Sequence, residues 1–198
     1  MCIHLRFDYK KATQALNFFA LKEGKEINKL KALKLIFFAD RYHLRKFGRP
    51  ITNDEYYAMK LGPVASGVKD IAENSSFLDE KEQGYASEFL ISRRLDYCSR
   101  REVDERVFSE SDVEALEFAW NKFGHFDEFR LADLTHLYPE WQKHEKSLEN
   151  SSRIRMSFED FFDDPIEETE KCFHLNTVQK KDLRDYLKEM SRIEAQWS

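Results

Sequence analysis

Glycine and proline are scarce in this chain, with 6 and 4 among 198 residues. Sandwiches and barrels need a turn about every ten residues, and those turns draw on glycine and proline. The shortage argues against an all-β protein. We expect a mainly α (α+β) fold, a compact helical bundle with a small antiparallel β-hairpin or sheet.

Long apolar runs are also missing. No stretch approaches the roughly 20 apolar residues that span a bilayer. The N-terminus MCIHLRFDYKK has no basic region followed by an apolar one. Cys2, Cys98 and Cys172 are far apart and in no paired spacing, as in proteins of a reducing compartment. We therefore predict a cytoplasmic protein with free thiols and no membrane contact.

An excess of positive charge is absent. The net charge of −5 disfavours long-range attraction to nucleic acid or to an anionic membrane surface. Hydrophobic residues make up 41% of the chain, which is enough for a folded core. Nucleic acid is therefore not the partner that the composition favours.

Local catalytic signatures are lacking. The sequence contains no HExxH, CxxC, GxSxG, GxGxxG or GxxxxGK[ST] pattern. Its histidines are scattered: His4, His43, His125, His136, His144 and His174. We predict no catalytic residue, no cofactor, no metal site and no enzyme activity. An enzyme without a recognisable motif stays an alternative.

Apolar residues recur at helical spacing in several segments. A first helix is predicted over about 9–21, and a second runs from the N-cap Asn28 to Phe47 and ends at Gly48. A capping box of Ser111 and Glu114 predicts a helix that Gly124 ends. Further helical segments are predicted through Val64, Val68 and Ile71, from Asp127 or Glu128 to just before Pro139, from Trp141, and over about twenty residues from Thr177.

Two segments predict β-structure. EYYAMKL (55–61) alternates and is rich in β-formers, and Gly62-Pro63 ends it. EFLISRRLDY (88–97) is interpreted as one strand, with REVDERVF (101–108) as its hairpin partner. The stretch from Asn74 to Glu88 is polar and shows no periodicity.

The character of the chain changes at Ser157. SFEDFFDDPIEETE (157–170) has seven carboxylates and no lysine or arginine. We predict two parts, a main domain over 1–156 and, over 157–198, an acidic segment plus an amphipathic helix docked on it. The acidic segment either steers a basic partner or is a solvated linker.

Asp40 stands out within the second helix. It lies on the same stripe as Leu33, Phe37 and Leu44, where an ionised carboxylate requires a cation or several hydrogen-bond donors. The candidate partners are Arg41, His43, Arg49 and the N–H groups that follow Gly62-Pro63. Asp40 is therefore either a structural latch or a direct contact for a partner.

Residues 29–71, KLKALKLIFFADRYHLRKFGRPITNDEYYAMKLGPVASGVKDI, resemble the signature block of the SocA-like antitoxin family, also called the Panacea domain. A second block, LADLTHLYPEWQK (131–143), is similar to another part of the family pattern, and the resemblance covers about residues 9–146. The residues that carry it are Asp40, Arg41, His43, Arg49, Pro50, Gly62, Pro63, Val64, Thr135, His136 and Trp141.

The resemblance implies a small, mainly helical, cytoplasmic protein of the kind that phages and other mobile elements carry. It implies an antitoxin that neutralises a toxin by protein contact, with the toxin encoded next to it. Some members resemble protease adaptors, so a host protease is a second expected partner. The shared residues would then be either a structural latch or part of the partner-binding surface.

The alternative is a phage- or mobile-element-associated regulator that binds nucleic acid. Two basic clusters favour it: Arg41, Arg45, Lys46 and Arg49, and Arg93, Arg94, Arg100 and Arg101. Acidic residues interrupt both clusters, so solvated faces are the simpler interpretation.

Overall fold

Helix α2 (Lys29–Phe47) is the central element of the fold in the computed structural model, which describes residues 5–165 and 174–196. As predicted, the Asn28 side chain caps its start, and Gly48 ends it at a positive φ of 78°. Fifteen of its 19 residues are buried. A helix buried all round must be enclosed by other elements.

Helices and two small sheets surround α2. The other helices in the described residues are α1 (Tyr9–Lys22), α3 (Ser66–Glu73), α4 (Glu80–Phe89), α5 (Glu110–Phe123), α6 (Glu128–Thr135), α7 (Pro139–Gln142) and α8 (Thr177–Gln196). The strands are β1 (Glu26–Asn28), β2 (Tyr56–Met59), β3 (Gly62–Ala65), β4 (Leu90–Ser92), β5 (Asp96–Ser99) and β6 (Ile154–Arg155). The sheets are antiparallel, in the orders β1-β5-β4 and β3-β2-β6. The expected mainly α fold with a small antiparallel sheet is confirmed.

Aromatic rings fill the core on both sides of α2. Phe38 stacks on Phe123 of α5 with ring centroids 3.8 Å apart. Phe37 meets Tyr56 of β2 and Tyr138 edge to face. Because such rings bury large apolar areas in fixed geometries, they hold α5 and the β2–β3 hairpin against α2.

The predicted strand EFLISRRLDY is wrong as a single strand. It forms β4 and β5, joined by a tight turn in which the Arg93 amide donates to the Asp96 carbonyl. The expected partner REVDERVF instead contains a 3-10 turn, Glu105–Val107, and β5 pairs with β1. The turn residues Arg94 and Leu95 include neither the glycine nor the proline that would mark a turn in the sequence.

Three helix starts also differ from the prediction. Val64 belongs to β3, because Gly62 at φ 97° reverses the chain into a hairpin before α3 begins. The polar stretch after Asn74 contains α4, which starts with a capping box of Asp79 and Glu82. The capping box of α5 pairs Ser109 with Asp112 rather than Ser111 with Glu114.

The C-terminal part is built into the same core. β6 is the third strand of the β2–β3 sheet, and the following 3-10 turn (Phe158–Phe162) buries Phe161 and Phe162 completely. The predicted boundary at 156/157 therefore falls between two segments that pack against the same elements. The division into two parts stays a prediction. Helix α8 covers the predicted C-terminal helix from Thr177 and buries Leu187.

Two further predictions are met in part. The Cys98 thiol is free, as expected, while Cys2, His4 and Cys172 lie outside the described residues. Within 5–165 and 174–196, every helix is too short or too polar to cross a lipid bilayer.

Candidate functional site

Asp40 projects from α2 into the loop that leads to β2. Its carboxylate accepts hydrogen bonds from the Ile51 amide at 2.7 Å, the Thr52 hydroxyl at 2.8 Å and the Tyr56 hydroxyl at 2.9 Å. Burial raises the pKa of Asp40, and these bonds oppose the rise. Only 1% of the residue is exposed, so the geometry favours a latch between helix and loop over a direct partner contact.

The partners expected for Asp40 are wrong. Its donors are neutral groups, whereas His43 and Arg49 bind other residues. The amide groups after the β2–β3 hairpin bind Asp54 instead, which accepts from Gly67 at 3.0 Å and Val68 at 2.7 Å. Burial raises the pKa of Asp54 to about 7. Sequence reasoning missed Asp54, although an aspartate in a loop ahead of a helix start is a possible amide acceptor.

Lys34 lies where the two sequence blocks meet. Its Nζ donates to the Pro63 carbonyl at 2.8 Å. A Cβ at Gly62 would lie 2.2 Å from Thr135 Oγ1 and 3.0 Å from Lys34 Nζ. The close approach explains a glycine here, beyond its positive φ. Burial lowers the pKa of Lys34 to about 7.

The second block closes over the same hairpin. Trp141 donates from Nε1 to the Met59 carbonyl at 2.9 Å, and its ring stacks on His136 with centroids 3.9 Å apart. Burial lowers the pKa of His136, and the Lys34 charge adds to the effect. The structure thus brings Gly62, Pro63 and Thr135 together with His136 and Trp141. Lys34 was missed because a lysine on a helix is usually exposed.

His43 joins the end of α2 to the start of α5. Its Nδ1 lies 2.6 Å from the Arg49 carbonyl, and its Nε2 lies 2.9 Å from Ser111 Oγ and 3.2 Å from Asp112 Oδ1. In a Ser-His-Asp triad the carboxylate and the serine bind opposite ring nitrogens. Here they share one nitrogen, so the geometry is not that relay. Burial lowers the pKa of His43.

Asp112 is the anion of this cluster. It pairs with Lys11 of α1 at 2.6 Å and with Arg49 at 3.0 Å, and it accepts from the Ser109 amide. Burial alone would raise the pKa of Asp112, but the Lys11 and Ser109 hydrogen bonds and the nearby cations lower it. One buried carboxylate therefore ties α1, α5 and the turn after α2 together.

Arg41 and Arg45 of α2 bind the segment 161–164 of the C-terminal part. Arg41 pairs with the fully buried Glu140 at 2.7 Å and donates to the Asp163 carbonyl at 3.0 Å. Arg45 donates to the Phe161 carbonyl at 3.0 Å and pairs with Asp164. Both arginines are 2% exposed, so two of the four members of the first basic cluster are not accessible to nucleic acid, while Lys46 and Arg49 pair with Glu114 and Asp112.

Four of the seven carboxylates of the acidic segment lie in the described residues. Their ion-pair partners are Lys188 for Glu159, Lys143 for Asp160, Arg184 for Asp163, and Arg45 and Lys180 for Asp164. Neither a free acidic track nor a solvated linker describes them. The other three lie within 166–173, outside the described residues.

The signature residues are mostly interior. Of the eleven, only Arg49 and His136 are partly exposed, and the rest are buried: Asp40, Arg41, His43, Pro50, Gly62, Pro63, Val64, Thr135 and Trp141. Over 5–165 and 174–196, no three His, Cys, Asp or Glu side chains are arranged to hold a metal ion. These side chains connect helices, strands and loops of the fold through buried hydrogen bonds and ion pairs.

Comparison with known families gives one match. The family described as "Antitoxin SocA-like, Panacea domain" matches residues 33–142. This range contains α2 from Leu33 onward, the β2–β3 hairpin, strands β4 and β5, and helices α3 to α7. No curated protein and no solved structure matches the chain.

Proposed function

Because the chain belongs to the family of SocA-like antitoxins with a Panacea domain, we propose that it neutralises a cognate protein toxin by direct protein–protein contact. Membership gives an antitoxin role in general terms. The direct contact, the neighbouring gene as the source of the toxin and action without catalytic turnover are parts of the proposal.

The observation that carries the proposal is the burial of the signature. Side chains that transform a substrate must reach it, yet Asp40, His43 and Thr135 are at most 1% exposed. They bind backbone and side-chain groups of the same chain. A family signature that is buried in this way supports a scaffold that presents a surface, which suits neutralisation by contact.

Co-expression tests the proposal. The neighbouring gene is expressed alone and together with this chain, and growth is measured. We expect growth arrest that the chain relieves, and a complex of the two purified proteins on size-exclusion chromatography. A harmless neighbour, or arrest that persists while this chain accumulates, would contradict the proposal.

The half-life of the toxin distinguishes inhibition by direct contact from delivery of the toxin to a protease. The half-life of the toxin is measured after synthesis stops, with and without this chain. Blocking predicts a toxin that stays as stable as before while growth recovers. A toxin that disappears only when this chain is present would establish the adaptor role instead.

A further inference from the structure

Among the residues that the structure describes, strand β4 is an edge strand of the β1-β5-β4 sheet. Hydrogen bonds to β5 flank it on both sides, from the Arg93 amide to the Asp96 carbonyl and from the Arg100 amide to the Phe89 carbonyl. In an antiparallel pair the bonded positions alternate along each strand. The two flanking bonds therefore fix which groups of β4 face β5 and which face outward.

Two of the outward-facing backbone groups of β4 could bind an added strand. Ile91, opposite Cys98, is the bonded position, so the Leu90 carbonyl and the Ser92 amide point away from β5. A carbonyl and an amide two residues apart on one edge are what a residue of an added strand binds. The Ser92 hydroxyl is engaged separately, donating to the Ala72 carbonyl at 2.9 Å.

A groove of about 210 Å³ runs beside this edge. All three residues of β4 line it, together with Ile71 of α3, Ala86 of α4 and Arg100. The buried Ile71, Ala86 and Leu90 form its apolar floor, and Asn74 and Ser87 add polar groups to the lining. Ile91 is 45% exposed. An extended segment on β4 would place alternate side chains over this floor.

One cation, Arg100, lines the groove. Arg93 and Arg101, which follow the lining residues Ser92 and Arg100 in the chain, pair with Glu26 and Glu88. Arg100 donates to a backbone carbonyl, and in the described part of the chain neither Arg100 nor Arg94 contacts a carboxylate. The surface therefore has unneutralised positive charge beside an apolar floor.

We propose that β4 and this groove bind an extended, acidic segment of a partner protein as an added strand. A second copy of the chain is disfavoured, because edge-to-edge pairing of two β4 strands would bring the arginines of both copies together. Nucleic acid is disfavoured, because a phosphate backbone gains nothing from an apolar floor. The proposal is independent of toxin neutralisation.

A designed peptide tests the binding directly. The probe is acetyl-Asp-Val-Thr-Leu-Thr-Val-Asp-Asp-amide, and the control has lysine at each aspartate. We expect the acidic peptide to slow hydrogen exchange of the Ser92 amide by about tenfold or more, since that amide becomes hydrogen-bonded. We expect the lysine peptide to bind at least about tenfold more weakly at low salt.

Matched variants locate the contact on the full chain. Ser92→Pro removes the outward amide, whereas Ser92→Ala removes only the hydroxyl. We expect a loss of peptide affinity of about tenfold for the first and less than about twofold for the second. Arg100→Glu should weaken binding similarly, while Arg130→Glu, an equal charge change on α6, should not. If Ser92→Pro fails to fold, the comparison of Arg100→Glu with Arg130→Glu still tests the proposed binding site.

Several results would overturn the proposal. They are an unchanged exchange rate of the Ser92 amide at saturating peptide, equal binding of the lysine peptide, and equal losses for Arg100→Glu and Arg130→Glu. Self-association of the chain that Arg100→Glu abolishes would assign the edge to a second copy. Retention of a single-stranded DNA oligonucleotide that competes with the peptide would assign it to nucleic acid.

Discussion

The buried contacts of α2 and the contacts of α8 are both polar, but they differ in their surroundings. Asp40 and its donors are enclosed by the core. The α8 residues Arg184 and Lys188 pair with Asp163 and Glu159 where the side chains remain 28–51% exposed. Unpaired groups cost much more in the interior than at the surface. The comparison predicts that α2 contacts set the stability of the fold, whereas α8 is held weakly.

Asp40→Ala should have the largest effect. It leaves the Ile51 and Thr52 amides and two hydroxyls without their acceptor. We expect a loss of about 3–5 kcal/mol in the free energy of unfolding, measured by denaturant titration, with loss of neutralisation. Asp182→Ala on the exposed face of α8 is the control and should change little. Normal melting with lost neutralisation would place Asp40 in the toxin interface.

Gly62→Ala should be the next largest. The new Cβ meets Thr135 Oγ1 at 2.2 Å and the position has a positive φ, so we expect a loss of about 2–4 kcal/mol. Gly84→Ala is the matched control, because nothing lies within 4 Å of its Cβ. Within α4 that change should stabilise by about 0.5–1 kcal/mol. Equal thermal melting of the two variants would refute the close packing at Gly62.

The pH dependence of the free energy of unfolding should reveal the lowered pKa of Lys34. Its pKa is about 7 in the fold and about 10.5 when unfolded, so between these values the unfolded chain binds the extra proton. Stability should therefore rise with pH, by about 1 kcal/mol per pH unit from pH 7.5 to 9. Asp54 acts with the opposite sign, but between pH 3.8 and about 7. Lys34→Met should flatten the rise, and an unchanged slope would contradict a buried, neutral amine.

Salt should have the smallest effect and should act on α8. Arg184→Ala is expected to cost at most about 1 kcal/mol, because exposed pairs contribute little. Raising sodium chloride to about 1 M should speed amide exchange in α8 while leaving α2 protected. Exchange that accelerates equally in both helices would erase the difference between the two regions.

Sequence reasoning succeeded where a pattern has one physical solution. The cap at Asn28, the left-handed Gly48 and the length of α2 follow from local chemistry. The turn between β4 and β5 could not be predicted in this way, because Arg94 and Leu95 are not residues that typically mark a turn. The misplaced β3 shows that a glycine-proline pair can make a hairpin as well as end a strand.

The site was harder to foresee than the fold. The resemblance pointed to residues of both blocks, and the structure brings them together around Lys34. Lys34 lies in the first block but was not among the residues that carried the resemblance. Asp54, Asp112 and Glu140 were missed as well. A buried ionisable residue looks like a surface residue in a sequence, because its partners come from distant segments.

The affinity of Asp40→Asn for the cognate toxin tests the central claim most directly, namely that the signature builds a scaffold and does not touch the partner. Isothermal titration calorimetry is performed well below the melting temperature of the variant. We predict lower thermal stability and a Kd within about twofold of the unaltered chain, because the folded surface is unchanged. A folded variant with native-like melting and a Kd weakened by about tenfold or more would contradict the account.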